Sequence, residues 1–352
     1  MIFRDILKKW NEKNRQKYFW RINRSIYQLW VSEIIFQQTR IAQGEEYYQR
    51  FIARFPTVQE LASASRDEVL RLWQGLGYYS RALNLHKAAR MIVDENNGQF
   101  PINADSWQKI PGVGPYTAAA ISSIANGECI PAIDGNVKRI VSRWLEIESP
   151  MDTADFTAKV TAFLNEHIPK KKPGLFNEAL MDFGSKVCIP GKPDCKNCPF
   201  IKYCGAGIHN TVSKYPVKKK NFTKKKKSIV YFVIQHNNNI IMKQRDGEDL
   251  WKHMYDFPAY ETEGHLNKIT PAILKHMDPF QPEEITTIGP MKHELTHITL
   301  KIFFLRAKTK SKLTLPKDHH CFSIEKAMTL AKPRPAEKFL DQMKNTYLCH
   351  NK

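Results

Sequence analysis

The sequence predicts a multidomain protein: an all-α N-terminal domain ending in a cysteine loop, then a C-terminal α/β domain. Three observations carry this. Through the first 215 residues apolar side chains recur at helical spacing, as in Leu29, Trp30, Ile34, Ile35 and Ile41, or Val137, Ile140, Val141, Trp144 and Leu145. Downstream the pattern turns to strands. Residues 228–235 and 240–244 are β-rich runs joined at Asn237, Asn238 and Asn239, and Ile298, Leu300, Ile302 and Phe304 alternate with their neighbours. Between the two regions Cys188, Cys195, Cys198 and Cys204 form a C-x6-C-x2-C-x5-C run, while Cys129, Cys321 and Cys349 are scattered.

Four thiolates so close in sequence make a metal site. The first loop, Cys-Ile-Pro-Gly-Lys-Pro-Asp-Cys, is too wide for paired C-x2-C zinc knuckles, which favours a [4Fe–4S] cluster over a structural zinc; disulfides fit poorly in a chain without a secretory signal. Lys218, Lys219, Lys220 and Lys224 to Lys227 crowd the stretch 216–228, which reads as an extended linker between domains 1–215 and 229–352. The linker is equally a solubilising spacer or a further set of phosphate contacts.

Charge bounds the partner. A net charge of +19 over 352 residues attracts a polyanion, nucleic acid before an acidic membrane surface. No apolar stretch reaches the roughly 18 residues of a spanning helix, and the N-terminus lacks a signal-peptide layout. The chain is read as soluble, cytoplasmic and monomeric, with no membrane partner, and long enough for two cores.

Within 105–126, Ile110-Pro111-Gly112-Val113-Gly114-Pro115-Tyr116-Thr117 lies between helical stretches as a helix-hairpin-helix turn. Gly112 and Gly114 let backbone amides and a helix N-terminus converge on one phosphate; alone, such a turn is often a plain connection. Asp134, in Ile133-Asp134-Gly135-Asn136-Val137-Lys138-Arg139, stands where a helix N-cap is expected. Facing free N–H groups, its carboxylate would be held ionised. Glu33 shares a helix face with Leu29 and Gln37 amid Ile34, Ile35 and Phe36, so burial would raise its pKa and suit it to general acid work. Two carboxyls pushed in opposite directions suit cleavage of an N-glycosidic bond.

Together these motifs resemble the endonuclease III superfamily of DNA glycosylases. Within it, Ser32-Glu33 with Gln37-Gln38-Thr39, the run Gln74 to Arg81, Asn84-Leu85-His86-Lys87 and Asp134 to Arg139 are similar to the MutY family, which acts on adenine. The resemblance spans nearly the whole chain and implies base excision repair: adenine paired with 8-oxoguanine or guanine in double-stranded DNA is flipped out, Glu33 protonates N7, and Asp134 stabilises or briefly traps the sugar cation. Tyr116 stands where bifunctional relatives carry a Schiff-base lysine, which implies a monofunctional enzyme. Tyr116, Asn136 and Glu178 match pocket residues. Gln38 and Tyr79 match wedges at the lesion, and Arg81, Gly112, Gly114, Lys138 and Lys192 match the DNA-contacting surface. The C-terminal part resembles a Nudix-like domain that reads 8-oxoguanine, without the Glu-rich pyrophosphatase signature. Leu295-Thr296-His297 stands where the family has Phe-Ser-His, leaving Thr296 and His297, with His293, as contacts. Two rivals are a bifunctional lyase, opposed by Tyr116, and a non-catalytic damage binder, opposed by intact Glu33 and Asp134.

Overall fold

A computed structural model describes residues 2–218, 223–247, 251–309 and 315–350, with side chains described to Lys344. Helices follow in order: α1 (Ile2–Asn14), α2 (Ile26–Ile35), α3 (Ile41–Arg54), α4 (Val58–Ser63), α5 (Arg66–Trp73), α6 (Ser80–Asn96), α7 (Ala104–Trp107), α8 (Pro115–Ala125), α9 (Gly135–Leu145), α10 (Ala154–His167), α11 (Pro173–Lys186) and α12 (Gly205–Ile208). Then come β1 (Lys225–His236), β2 (Asn239–Gln244), β3 (Tyr255–Asp256), β4 (Ala259–Glu263), α13 (Pro271–Leu274), β5 (Glu283–Glu294), β6 (Ile298–Thr309), β7 (His319–Ser323), α14 (Ile324–Thr329) and α15 (Arg334–His350). The residues group into two compact units, Met1–Ser63 with Asn84–Asn221, and Ala64–Leu83 with Phe222–Lys352.

In the first unit the start of the chain returns to its cysteine end. Phe3 and Leu7 of α1 are buried with Val137, Ile140 and Val141 of α9, Val160 and Leu164 of α10, and Leu180 and Phe183 of α11, and Cys188, Cys198 and Cys204 pack against this core. Full burial of each such side chain is worth about 1.5–3 kcal/mol. The helix ends follow the sequence signals. Ser25 and Gln28 close a capping box on α2, and Asp134 caps α9.

In the second unit, the described residues include a seven-stranded sheet of path order β3-β2-β1-β6-β5, with β4 on β1 and β7 on β2. β1 runs parallel to β6 and antiparallel to β2 and β4. One face buries Val230, Phe232, Ile234, Phe303 and Leu305 against Met277 and Phe280. On the other, Phe304 stacks on Phe339 of α15 with centroids 4.2 Å apart.

The lysine-rich linker expected over 216–228 is only partly a connection. Lys225, Lys226 and Lys227 are the first rungs of β1, opposite Ile298, Thr299 and Leu300. Carboxylates offset the charge there: Glu294 lies 2.8 Å from Lys224 and Glu261 2.5 Å from Lys227. Lys219 and Lys220 lie outside the described residues. The compact units and the expected domain limits also differ in one segment, 64–83. Its ties to the second unit are polar: Gln74 Nε2 donates to Glu337 Oε1 at 2.7 Å, and the Tyr78 hydroxyl lies 2.5 Å from Thr296 Oγ1. Hydrophobic periodicity carries no trace of such contacts.

Candidate active site

In the first unit α8 packs against α2 and α11, and α11 packs against α9. Glu33 sits near the C-terminal end of α2, among the buried Trp30, Ile34 and Ile35, with its own face partly open. Tyr116 lies in the first turn of α8, after the N-cap Gly114 and Pro115. Its hydroxyl donates to Glu33 Oε2 at 3.3 Å and approaches Met181 Sδ of α11 at 3.5 Å. Asp134 Oδ1 accepts from the Val137 amide at 2.7 Å, and Oδ2 accepts from Asn136 Nδ2 at 2.8 Å. Burial pushes the Tyr116 hydroxyl well above its ordinary pKa, and the charges of Glu33 and then Asp134 push it further. Both carboxyls therefore act on one phenol.

Burial raises Glu33 as expected, opposed by the Arg24 and Arg21 guanidiniums and helped by Glu178. Asp134 departs from expectation. Burial raises its pKa too, and the N-cap hydrogen bonds from Val137 and Asn136 only reduce the rise. A helix terminus offers partial charges, and those do not match the cost of enclosing a full charge.

Glu178, on α11, is also buried, and arginines fill its carboxylate. Arg24 Nη2 lies 2.5 Å from Oε1, Arg15 Nη2 3.2 Å from Oε2, and Arg21 Nε 3.8 Å from Oε1, while Arg21 also pairs with Asp182 at 2.9 Å. Sequence reasoning missed these arginines. Their partners lie some 150 positions away, and a short Arg-x-x-Arg spacing before a helix cap has no signature of its own.

A hydrogen-bonded line leads from Asp134 to the cysteines. Asn136 Oδ1 accepts from Arg139 Nη2 at 2.8 Å, and Arg139 donates on to the carbonyls of Gly184 and Cys188, both at 2.7 Å. Cys188, Cys195, Cys198 and Cys204 together line one cavity of about 30 Å³ with Arg143 and Pro193. No three His, Cys, Asp or Glu side chains among the described residues are arranged to hold a single metal ion. Burial pushes the Cys198 thiol up to about 12, and the neighbouring cysteines add to the rise. Cys129, Cys188, Cys195, Cys198, Cys204 and Cys321 are free thiols.

The residues matched to DNA contacts divide. Gly112 (φ 79°) and Gly114 are exposed in the hairpin turn, and a Cβ on Gly112 would lie 2.7 Å from Asn84 Cβ, whereas one on Gly114 meets nothing. Gln38 is exposed with φ 53°, a conformation that thrusts it from the end of α2. Lys192, Thr296 and His297 are exposed and Lys138 is half-buried. Tyr79 is not available as a wedge: it is 6% exposed, and its hydroxyl accepts from the Gly75 amide at 3.3 Å. Its neighbour Tyr78, 43% exposed with φ 48°, is the outward aromatic. Nor does Arg81 reach outward. Its guanidinium lies over the Trp73 and Tyr78 rings and donates to the Gly77 carbonyl, which fastens the turn from within. Two adjacent tyrosines look alike in sequence; the positive φ at Tyr78 decides which one turns out.

The helical fold, hairpin turn and paired carboxyls define a helix-hairpin-helix DNA repair glycosylase. Residues 31–164 match the HhH-GPD superfamily of base excision DNA repair proteins, and residues 230–342 match the NUDIX domain. A thermostable thymine-DNA glycosylase shares the helical fold at TM-score 0.55 and 24% identity, over 59% of this chain and 96% of that one. An endonuclease III in a non-covalent DNA complex does so at 0.51 and 23%, over the same shares. The adenine DNA glycosylase of Buchnera aphidicola subsp. Acyrthosiphon pisum is 31% identical over 97% of this chain and 98% of its own length, and the Homo sapiens adenine DNA glycosylase is 38% identical over 58% and 39%. The chain belongs to the adenine DNA glycosylase family and is a glycosylase of base excision repair. Among the described residues no helix is long and apolar enough to cross a membrane.

Proposed function

We propose that the enzyme excises adenine paired with 8-oxoguanine or guanine in double-stranded DNA and leaves an abasic site without cutting the strand. One observation carries this reading: the Tyr116 hydroxyl bonds Glu33 and feels the charge of Asp134, so an acid and an anion serve one pocket that has tyrosine where a lyase would need an amine. The adenine enters extrahelically. Glu33, whose hold on its proton burial strengthens, gives that proton to N7. The C1′–N9 bond then breaks with its electron pair leaving on the purine, and the cation on the sugar is met by the Asp134 carboxylate before water adds. The positive charge developing on the sugar would add to the Val137 and Asn136 hydrogen bonds in favouring ionised Asp134. Asn136 and Tyr116 orient the two carboxyls. Glu178 holds Arg21 and Arg24 near Glu33.

Cys188, Cys195, Cys198 and Cys204 are assigned to a [4Fe–4S] cluster. The four cysteines line one cavity, and the loop from Cys188 to Cys195, too wide for paired C-x2-C zinc knuckles, favours the cluster over a single zinc. Bound there, the cluster would neutralise the thiolates and fix the loop 188–204, which offers Lys192 to phosphate. Residues 229–352 are assigned as the reader of 8-oxoguanine through Thr296 and His297, with Tyr78 replacing Tyr79 as the wedge. Borohydride trapping with an A:8-oxoguanine duplex, run beside adenine release from A:8-oxoguanine, A:G and A:T duplexes, tests the reading. Release from the first two with no trapped adduct is expected; efficient trapping would overturn the monofunctional assignment.

A further inference from the structure

We propose that Glu146 is a positioning residue for the cysteine loop, clamping the chain that leaves Cys204 to the end of α9. This rests on the cluster reading for its main readout. Glu146 is the C-cap of α9 and holds a left-handed conformation, φ 51° and ψ 49°, that glycine or asparagine adopts at lower cost. Its side chain supplies the compensation. His209 Nδ1 donates to Oε2 at 2.6 Å, and the Thr211 hydroxyl donates to Oε1. These charge-assisted bonds hold the carboxylate below its usual pKa, with Lys214 contributing.

The clamp closes directly behind the fourth cysteine. A Cβ on Gly205 would lie 3.0 Å from Glu146 Cγ and Oε2 and 3.2 Å from the Trp144 carbonyl, so a larger residue here would press on the end of α9. On the preceding turn, Arg143 Nη1 reaches Cys188 Sγ at 3.3 Å and the Ile189 carbonyl at 3.0 Å, contacts that a thiolate at Cys188 also allows. The last turn of α9 thus grips both ends of the cysteine run: Arg143 the first, Glu146 the last. Groups that orient metal ligands from outside the ligand set commonly change retention 10–100-fold.

The test uses full-length Glu146→Gly, which suits the left-handed backbone, and the double variant His209→Ala/Thr211→Ala. Loss of visible absorbance and of iron in the presence of a chelator is followed beside the unaltered protein, with helical circular dichroism melting as the control for general unfolding. Both variants are expected to lose iron at least about 5-fold faster with unchanged melting. Retention at the unaltered rate, or loss that merely tracks a lowered melting point, overturns the proposal. If the unaltered protein carries no iron, the cluster reading fails separately. The clamp is then read by trypsin cleavage after Lys202 and after Lys214, expected to be faster in both variants and contradicted by equal rates.

Discussion

At residue 33 the proposed chemistry needs a carboxyl that holds its proton more tightly than an ordinary glutamate, and burial acts in that direction. Because burial raises the Glu33 pKa, the acid form persists to higher pH and activity falls as pH climbs through that raised value; Asp134 must be ionised, so activity rises as pH passes upward through its own. A bell results, its high-pH limb belonging to Glu33. Arg24 and Arg21 lower Glu33, so Arg24→Met is expected to move that limb to higher pH in single-turnover profiles, and an unmoved limb would detach the arginines from the acid. The two tyrosines give a second contrast. Tyr78→Ala should weaken binding to mismatched duplex with an unchanged melting point, whereas Tyr79→Ala should cost about 3 kcal/mol of stability in thermal melts. The reverse pattern would restore Tyr79 as the wedge.

Among the elements, the hairpin between α7 and α8 offers a pair of glycines with opposite demands. Gly112→Ala meets Asn84 and a positive φ, so a loss of about 1–3 kcal/mol is expected by calorimetry. Gly114→Ala meets nothing at φ −87°, and any weakening of duplex binding there, with stability intact, reports on phosphate approach to the helix N-terminus. What the sequence made legible was local. The hairpin, the Asp134 cap and the cysteine spacing each depend on residues within a few positions of one another. Interactions over long separations escaped: Glu178 with its three arginines, Arg139 reaching the Cys188 carbonyl, and Gln74 and Tyr78 meeting Glu337 and Thr296. The lysine run misled because charge density alone reads as solvated chain, while Glu261 and Glu294, which pair with Lys227 and Lys224 where β1 begins, lie far along the sequence. Asp134 misled differently, since a cap is visible in sequence and the depth of its burial is not.

Over the whole chain, a net charge of +19 makes duplex binding an ion-exchange process. A plot of log affinity against log salt should be linear with a slope of about −0.9 for each phosphate neutralised, and the same slope for undamaged and mispaired duplex would assign the discrimination to uncharged contacts. The proposed catalysis, by contrast, rests on two carboxyls, Glu33 and Asp134. Single-turnover release of adenine from an A:8-oxoguanine duplex by the unaltered enzyme, Glu33→Gln and Asp134→Asn examines that pair directly. Each variant is expected to lose at least about 100-fold while still binding the duplex; equal rates in all three would contradict an acid at 33 and an anion at 134.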